Sequence, residues 1–267
     1  MFEGRVSAES LSRNGPESCG MLGLAIALVA SRCRLAHTPP MHAFAVILPA
    51  AGAGSRFGGD KLLSDLAGRS VLQRSVRLFT SRAEVTHLVV VTGKERIAAY
   101  REHLKEESGR VDFVIGGAQR WQSVLHGLRH LATLPDMPAW VGIHDAARPL
   151  CPKEVIDEAF ASTVAHGAGL PCLAEPATLK RRGADGLVIE TVDRANLYQA
   201  QTPQCFHLRH LLEGYEALLE QNQVADLTDD AQVFERMGRP VPITKGSAVN
   251  MKITTPGDLA VARGLVG

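Results

Sequence analysis

The sequence predicts an α/β fold: a mostly parallel sheet flanked by helices, with a β-arm projecting from it. Three observations carry that expectation. From residue 43 onward, short apolar runs rich in β-branched residues alternate with stretches of helical periodicity, as crossover connections between parallel strands require. Small or glycine-rich turns follow several of the strand-like runs. Between residues 174 and 198 the alternation gives way to a polar hairpin pattern. A chain of 267 residues is long enough to bury one substantial core of this kind.

Residues 1–42 read as a leader. The apolar run Met21–Ala30 follows Arg5 and Arg13 and resembles a signal-peptide core, but it is too short to span a bilayer. Pro39-Pro40 separates it from the first strand, and Met41 is an alternative start. The expectation is a disordered segment or a mis-assigned start; a targeting sequence and an extra packed helix are the other readings. The domain proper, 43–267, opens with the strand Phe44–Leu48. Helical spacing follows at Val71–Phe79, and a strand at Val85–Val91 ends in Thr92-Gly93. The helix Ile97–Leu104 leads to the strand Val111–Ile115, which ends in Gly116-Gly117. Trp121–Leu131 is helical, Trp140–Ile143 is a strand ending at His144-Asp145, Glu154–Ala165 is helical, and Gly169–Leu173 is a strand. The result is Rossmann-like.

In the arm, about 174–198, Leu179-Lys180-Arg181-Arg182 is basic, Gly183-Ala184-Asp185-Gly186 is a turn, and Leu187–Val192 is strand-like. An arm with so little core of its own suits dimerisation. Helices are expected at Leu208–Glu220 and Asp229–Met237, the latter with Thr228 as N-cap and two acids in its first turn. A short strand Val241–Ile243 and a last helix after Thr255-Pro256 complete the chain.

Composition excludes several function classes. Lys and Arg total 29 against 28 Asp and Glu, so no bulk field attracts nucleic acid or a membrane surface. Aromatics are only 5%, too few for a base-stacking platform. The five cysteines are odd in number and never in C-x-x-C spacing, which fits reduced thiols in a cytoplasmic protein. His126 and His130 stand one helical turn apart without a third ligand; an exposed helix face is expected. Ser70, Ser75 and Ser123 lack the G-x-S-x-G elbow of a hydrolase nucleophile.

Three loaded segments follow strand ends, where parallel sheets collect ligands. In the first, Pro49–Lys61, Ala50, Ala51 and Gly52 allow close backbone approach to a bound group, and Arg56 and Lys61 suit the charge of moving phosphoryl oxygens. It is not a P-loop, because Leu62 stands where a hydroxyl is needed, and not a dinucleotide fingerprint, because Phe57 stands at the third glycine. An ordinary strand-to-helix turn with a surface Arg and Lys is the other reading. In the second segment, Gly116–Ser123, Gly116 and Gly117 allow close backbone approach and Ser123 offers a hydroxyl, so main-chain groups can meet a base edge; a plain helix N-terminus is the other reading. The third, His144–Pro149, offers Asp145 as a carboxylate for a hard divalent cation; Arg148 is placed to pair with it. Arg194 and Lys252 are cations of the kind a second phosphate-bearing substrate needs.

In this order the motifs PAAGAGSRF, GGAQRWQSVLHGL, HDAARP, TVDR, QTPQ and NMKIT make the chain resemble the 2-C-methyl-D-erythritol 4-phosphate cytidylyltransferases of isoprenoid precursor synthesis, over about residues 43–265. The resemblance implies the nucleotidyltransferase fold and CMP transfer from CTP to the polyol phosphate. Arg56 and Lys61 would stabilise the transition state at the α-phosphate, and Arg194 and Lys252 would position the acceptor. Ala50, Ala51, Gly52, Gly117, Ala118 and Ser123 would hold cytidine. Asp145 would serve Mg²⁺ and substrate, with Arg148, Thr178 and Thr202 also on the substrate side. The arm would swap across a homodimer and carry Thr178 and Arg194 to the neighbouring site. The chain departs from the family where Gly58-Gly59-Asp60 shortens the loop before Lys61 and Leu62-Leu63 follows it. The alternatives are a ribitol 5-phosphate cytidylyltransferase and a non-catalytic nucleotide-binding regulator of the same fold.

Overall fold

The computed structural model describes Met1, residues 42–52 and residues 57–266. The expected leader, apart from Met1 and His42, and the expected catalytic Arg56 lie outside the described residues. The chain begins its sheet with β1 (Phe44–Pro49), makes a small ladder from β2 (Asp65–Leu66) and β3 (Arg69–Ser70), and enters α1 (Val71–Thr80). It then runs β4 (Val85–Thr92), α2 (Ile97–His103), β5 (Val111–Ile115), α3 (Arg120–Ala132), β6 (Trp140–Ile143) and α4 (Lys153–His166). After β7 (Ala168–Ala174) the hairpin β8 (Leu179–Arg182) and β9 (Val188–Val192) stands apart, followed by β10 (Tyr198–Ala200) and β11 (Gln204–His207). The C-terminal part holds α5 (Leu208–Glu220), α6 (Ala231–Arg236), β12 (Ile243–Lys245) and α7 (Pro256–Val266).

Within the sheet, β6, β1, β4 and β5 lie side by side and parallel. β11 joins β6 to β7 in antiparallel sense, and β7 also pairs with β10 and, in parallel, with β12. The chain therefore builds outward from β1 to β4 and β5, then returns to place β6 on the other side of β1. That reversal opens a crevice beyond the carboxyl ends of β1 and β6.

β1 is apolar at every position because both its faces are covered. Phe44, Val46 and Leu48 pack with α1, α4 and α7 through Val76, Phe79, Phe160 and Leu259. Ala45 and Ile47 point the other way, into a second core built by Leu125 and Leu128 of α3 and Leu211 and Tyr215 of α5. Ser70 caps α1: its hydroxyl accepts the Gln73 N–H while the Gln73 side chain accepts the Ser70 N–H. Gly167 ends α4 in the left-handed conformation at φ +86°, and its N–H reaches Thr163 O.

The sheet, the flanking helices and the arm agree with the expectation from sequence, and the differences are local. α6 opens at Ala231 rather than at Asp229, so Thr228 is not its N-cap and the paired acids precede the helix. The Gln232 N–H bonds Asp229 Oδ1, and Asp229 and Asp230 are both drawn towards Gln204. β12 starts two residues later than expected because Pro242 has no N–H to donate; only its carbonyl joins the sheet, accepting from Leu170 N. His126 and His130 are half-buried rather than exposed, because they tie α3 to β5 at Ile115 O and Asp112 Oδ2. Cys151, Cys172 and Cys205 are free and buried.

The ring of Phe44 lies 3.8 Å from that of Phe160, parallel to it, and is 1% exposed. Phe44→Ala should cost about 3–5 kcal/mol of stability through the cavity it leaves, read as a lowered urea midpoint with an unchanged slope.

Candidate active site

The three loaded segments meet at the crevice. A cleft of about 560 Å³ is lined by Ala50, Ala51 and Gly52 after β1, Lys61, Gly117 to Arg120 and Ser123 around the start of α3, Asp145 after β6, and Lys252. Each wall is fixed by backbone contacts. Ala50 N donates to Val91 O at 2.7 Å, Thr92 Oγ1 donates to Ala50 O at 3.3 Å, and Arg96 Nη1 donates to Gly52 O at 2.9 Å. Gly116 lets the α3 loop close on the β1 loop, since a Cβ there would stand 2.7 Å from Ser123 Oγ and 3.0 Å from Ala51 Cβ. Ser123 Oγ accepts from Gly117 N at 3.3 Å; its hydroxyl shapes the loop that lines the cleft.

Lys61 begins a short 3₁₀ turn, Lys61–Leu63, whose N-cap is Asp60. Asp60 Oδ1 accepts from Leu62 N at 3.1 Å, and the Tyr100 hydroxyl donates to Asp60 Oδ2 at 2.9 Å. Leu62 is buried in the core. The residues that depart from the family pattern are therefore anchors. Asp60 ties the short loop to α2, Leu62 pins it below, and Lys61 faces the cleft between them.

Asp145 is the electrostatic centre. Its Oδ2 lies 3.1 Å from Lys252 Nζ and 3.2 Å from Arg148 Nε, and Arg120 Nε stands 3.7 Å from Oδ1. Burial alone would raise its pKa, but Lys252, Arg120 and Arg148 together hold the carboxyl well below the usual range. Asp145 N donates to Thr202 Oγ1 at 3.1 Å, Thr202 Oγ1 meets His144 Nδ1 at 3.0 Å, and His144 Nε2 meets Arg148 O at 3.0 Å. With the threonine proton pointing to Nδ1, His144 is the neutral Nε2–H tautomer. Burial pushes its pKa down from 6.5 to about 4.

Not every expected site residue faces this cleft. Arg148 pairs with Asp145 and donates to Asn250 O at 2.6 Å, the structural pairing that its spacing allowed. Thr202 is buried beneath the carboxylate, its hydroxyl engaged with Asp145 and His144. Thr178 and Arg194 are exposed at the arm, where Arg194 donates to Pro176 O. Sequence reasoning missed Arg120, which bridges Asp145 and the fully buried Asp230. Its position inside the α3 loop was the available signal; its partner Asp230 is 110 residues away.

A parallel sheet with its cleft at the switch point, lined by two lysines, a carboxylate and small-residue backbone, defines an enzyme of the nucleotidyltransferase type. The sequence profile of the family IspD, 2-C-methyl-D-erythritol 4-phosphate cytidylyltransferase, matches residues 44–267. The chain belongs to that family. It is 37% identical over 233 residues to the 2-C-methyl-D-erythritol 4-phosphate cytidylyltransferase of Rhodopirellula baltica, covering 83% of this chain and 93% of the relative. It is also 37% identical over 232 residues to the bifunctional enzyme IspD/IspF of Rhizobium rhizogenes, covering 84% of this chain but 56% of that protein. The chain thus spans about half the length of this bifunctional relative. The crystal structure of 4-diphosphocytidyl-2C-methyl-D-erythritol synthase from Anaerococcus prevotii superposes with a TM-score of 0.73 at 26% identity, over 84% of this chain and 98% of that one.

Because the folded pKa of His144 is depressed, its contribution to stability is present above its unfolded pKa and is lost as pH falls towards the folded value. The unfolding free energy from urea titrations should therefore drop between pH 6.5 and about 4, by on the order of 3 kcal/mol from this residue. A His144→Asn variant should be less stable at neutral pH and show a flatter dependence through that window.

Proposed function

We propose that this chain transfers CMP from CTP to 2-C-methyl-D-erythritol 4-phosphate, releasing pyrophosphate, and that the cleft at the β1–β6 switch point is where it does so. The observation that carries this reading is the convergence of Lys61, Asp145 and Lys252 in one cleft with the backbone of Ala50–Gly52 and Gly117–Ser123. Main-chain groups of those two loops hold the base and ribose. Lys61, with Arg56, faces the triphosphate and stabilises the charge that builds at the α-phosphorus. Lys252, 44% exposed beside Asp145, receives the acceptor phosphate.

A phosphate oxygen of the acceptor attacks the α-phosphorus. One P–O bond forms as the bond to the β-phosphate oxygen breaks, and pyrophosphate carries away the electron pair. The attacking phosphate is already anionic, so no general base is required; positioning and charge stabilisation supply the acceleration. Among the described residues no group of three or more His, Cys, Asp or Glu could cage a metal. A single carboxylate oxygen of Asp145 with the triphosphate fits Mg²⁺, which typically takes one or two carboxylates plus phosphate oxygens. Bound there, it would offset triphosphate charge.

The arm supports a homodimer with shared sites. Leu187, Val188 and Ile189 are 69%, 63% and 65% exposed on a hairpin outside the main sheet, an apolar surface suited to a second copy. Thr178 and Arg194, displaced from the cleft of their own subunit, then serve the neighbouring one. Among the described residues no helix is long and apolar enough to cross a membrane, and the buried free thiols suit a cytoplasmic location.

Incubation with CTP, Mg²⁺ and either methylerythritol phosphate or ribitol 5-phosphate, with products identified by mass, tests the reaction; turnover of the first acceptor is expected. Lys61→Ala should lower kcat by about 10²–10³-fold with CTP binding changed only a few-fold. Unchanged turnover would remove Lys61 from the mechanism. Mixing the separately inactive Lys61→Ala and Arg194→Ala proteins should restore about a quarter of parental activity, because random pairing makes half the dimers mixed, each with one intact shared site. No recovery would argue that the sites are not shared.

A further inference from the structure

We propose that Asp230 is a positioning residue: it holds Arg120 away from Asp145 and so keeps one oxygen of the Asp145 carboxylate open to the cleft. The inference rests on reading the cleft as the reaction site.

Arg120 opens α3 and lies between two carboxylates. Its Nη2 is 2.6 Å from Asp230 Oδ2, a close charge-assisted bond, while its Nε stands 3.7 Å from Asp145 Oδ1, beyond hydrogen-bond distance. Asp230 cannot turn aside. It has no exposed surface, Tyr215 Oη donates to its Oδ1 at 2.6 Å, and its N–H donates to Gln204 Oε1 at 3.0 Å. Gln204 is held in turn, since its Nε2 donates to Asp229 Oδ2 at 2.9 Å. Tyr215 and Gln204 are themselves buried. Four elements, α5, α6, β11 and α3, thus fix where one guanidinium points.

Asp145 shows what this placement preserves. Lys252 and Arg148 both approach Oδ2, leaving Oδ1, among the described residues, with the distant Arg120. A guanidinium released beside a carboxylate takes the two-pronged geometry that matches it. Without Asp230, Arg120 would close on Asp145 and occupy Oδ1, and the carboxylate would have no oxygen free of a cation to offer a ligand. Asp230 acts as a competitor for the arginine. This also accounts for the cost of burying a charged pair beneath the cleft, which stability alone does not demand.

The test uses Asp230→Asn, which keeps an acceptor for Tyr215 but presents an amide to Arg120. The crystal structure of this variant should show Arg120 moved to within hydrogen-bond distance of Asp145 Oδ1. Its kcat/KM should fall about 30-fold or more. The double variant Arg120→Gln/Asp230→Asn removes the whole pair and should return to within about ten-fold of the parent, a recovery that a purely structural role would not produce. Should Asp230→Asn fail to fold, the double variant still decides, since it leaves no unpaired buried charge. Arg120 unmoved in the crystal, or a double variant as slow as Asp230→Asn, would overturn the proposal. The crystal readout needs no substrate. If the parent turned over neither polyol phosphate, the proposed reaction would fail while the Arg120 movement remained measurable.

Discussion

One negative charge organises this molecule. Asp145 sits where a strand ends inside the protein, and a carboxylate taken out of water there is costly unless cations and hydrogen bonds surround it. Lys252 comes from the C-terminal segment, Arg120 from the start of α3 and Arg148 from its own loop. Satisfying a single side chain thus draws distant parts of the chain to one point. Lys252, the exposed member of the three, is also the cation that the proposed reaction assigns to the acceptor phosphate, so under that reading the requirement that stabilises the fold also prepares the site.

The sheet makes that gathering possible. Strands built outward from β1 in one direction and then the other leave their carboxyl ends facing a common crevice, and each loop emerging there begins from a rigid base. Hydrogen bonds to Val91 O and from Thr92 and Arg96 hold the first loop, and the missing Cβ of Gly116 lets the second close against it. Beneath the third, the run from Asp145 N through Thr202 to His144 and Arg148 O gives every polar group a partner of defined direction. Precision at the surface comes from satisfied polar groups one layer below.

Much of this was legible in the sequence because the signals were local. Strand-like runs ending in small residues announced the parallel sheet, and the cleft residues Ala50, Lys61, Gly117, Asp145 and Lys252 stood out by type and placement. What escaped depended on pairing across distance. Nothing near Arg120 indicates Asp230, and the acids before α6 look like ordinary helix-capping residues until Gln204 and Tyr215 are seen to hold them. His126 and His130 looked like a solvated face because helical spacing alone does not show that they reach back to the preceding strand, at Ile115 O and Asp112. Arg148 and Thr202 were recognised as belonging to the site, yet they support it from beneath. Residue type reveals chemistry more readily than it reveals depth.

The Asp60–Tyr100 contact carries an evolutionary consequence. Where a loop is long, its own covalent path and internal turns can decide where a lysine ends up; here that decision is delegated to a phenol on a separate helix, 40 residues away. The aim of Lys61 therefore depends on the two positions jointly. Transplanting the short loop into a long-loop homologue without its tyrosine would import the sequence but leave behind the part that aims it.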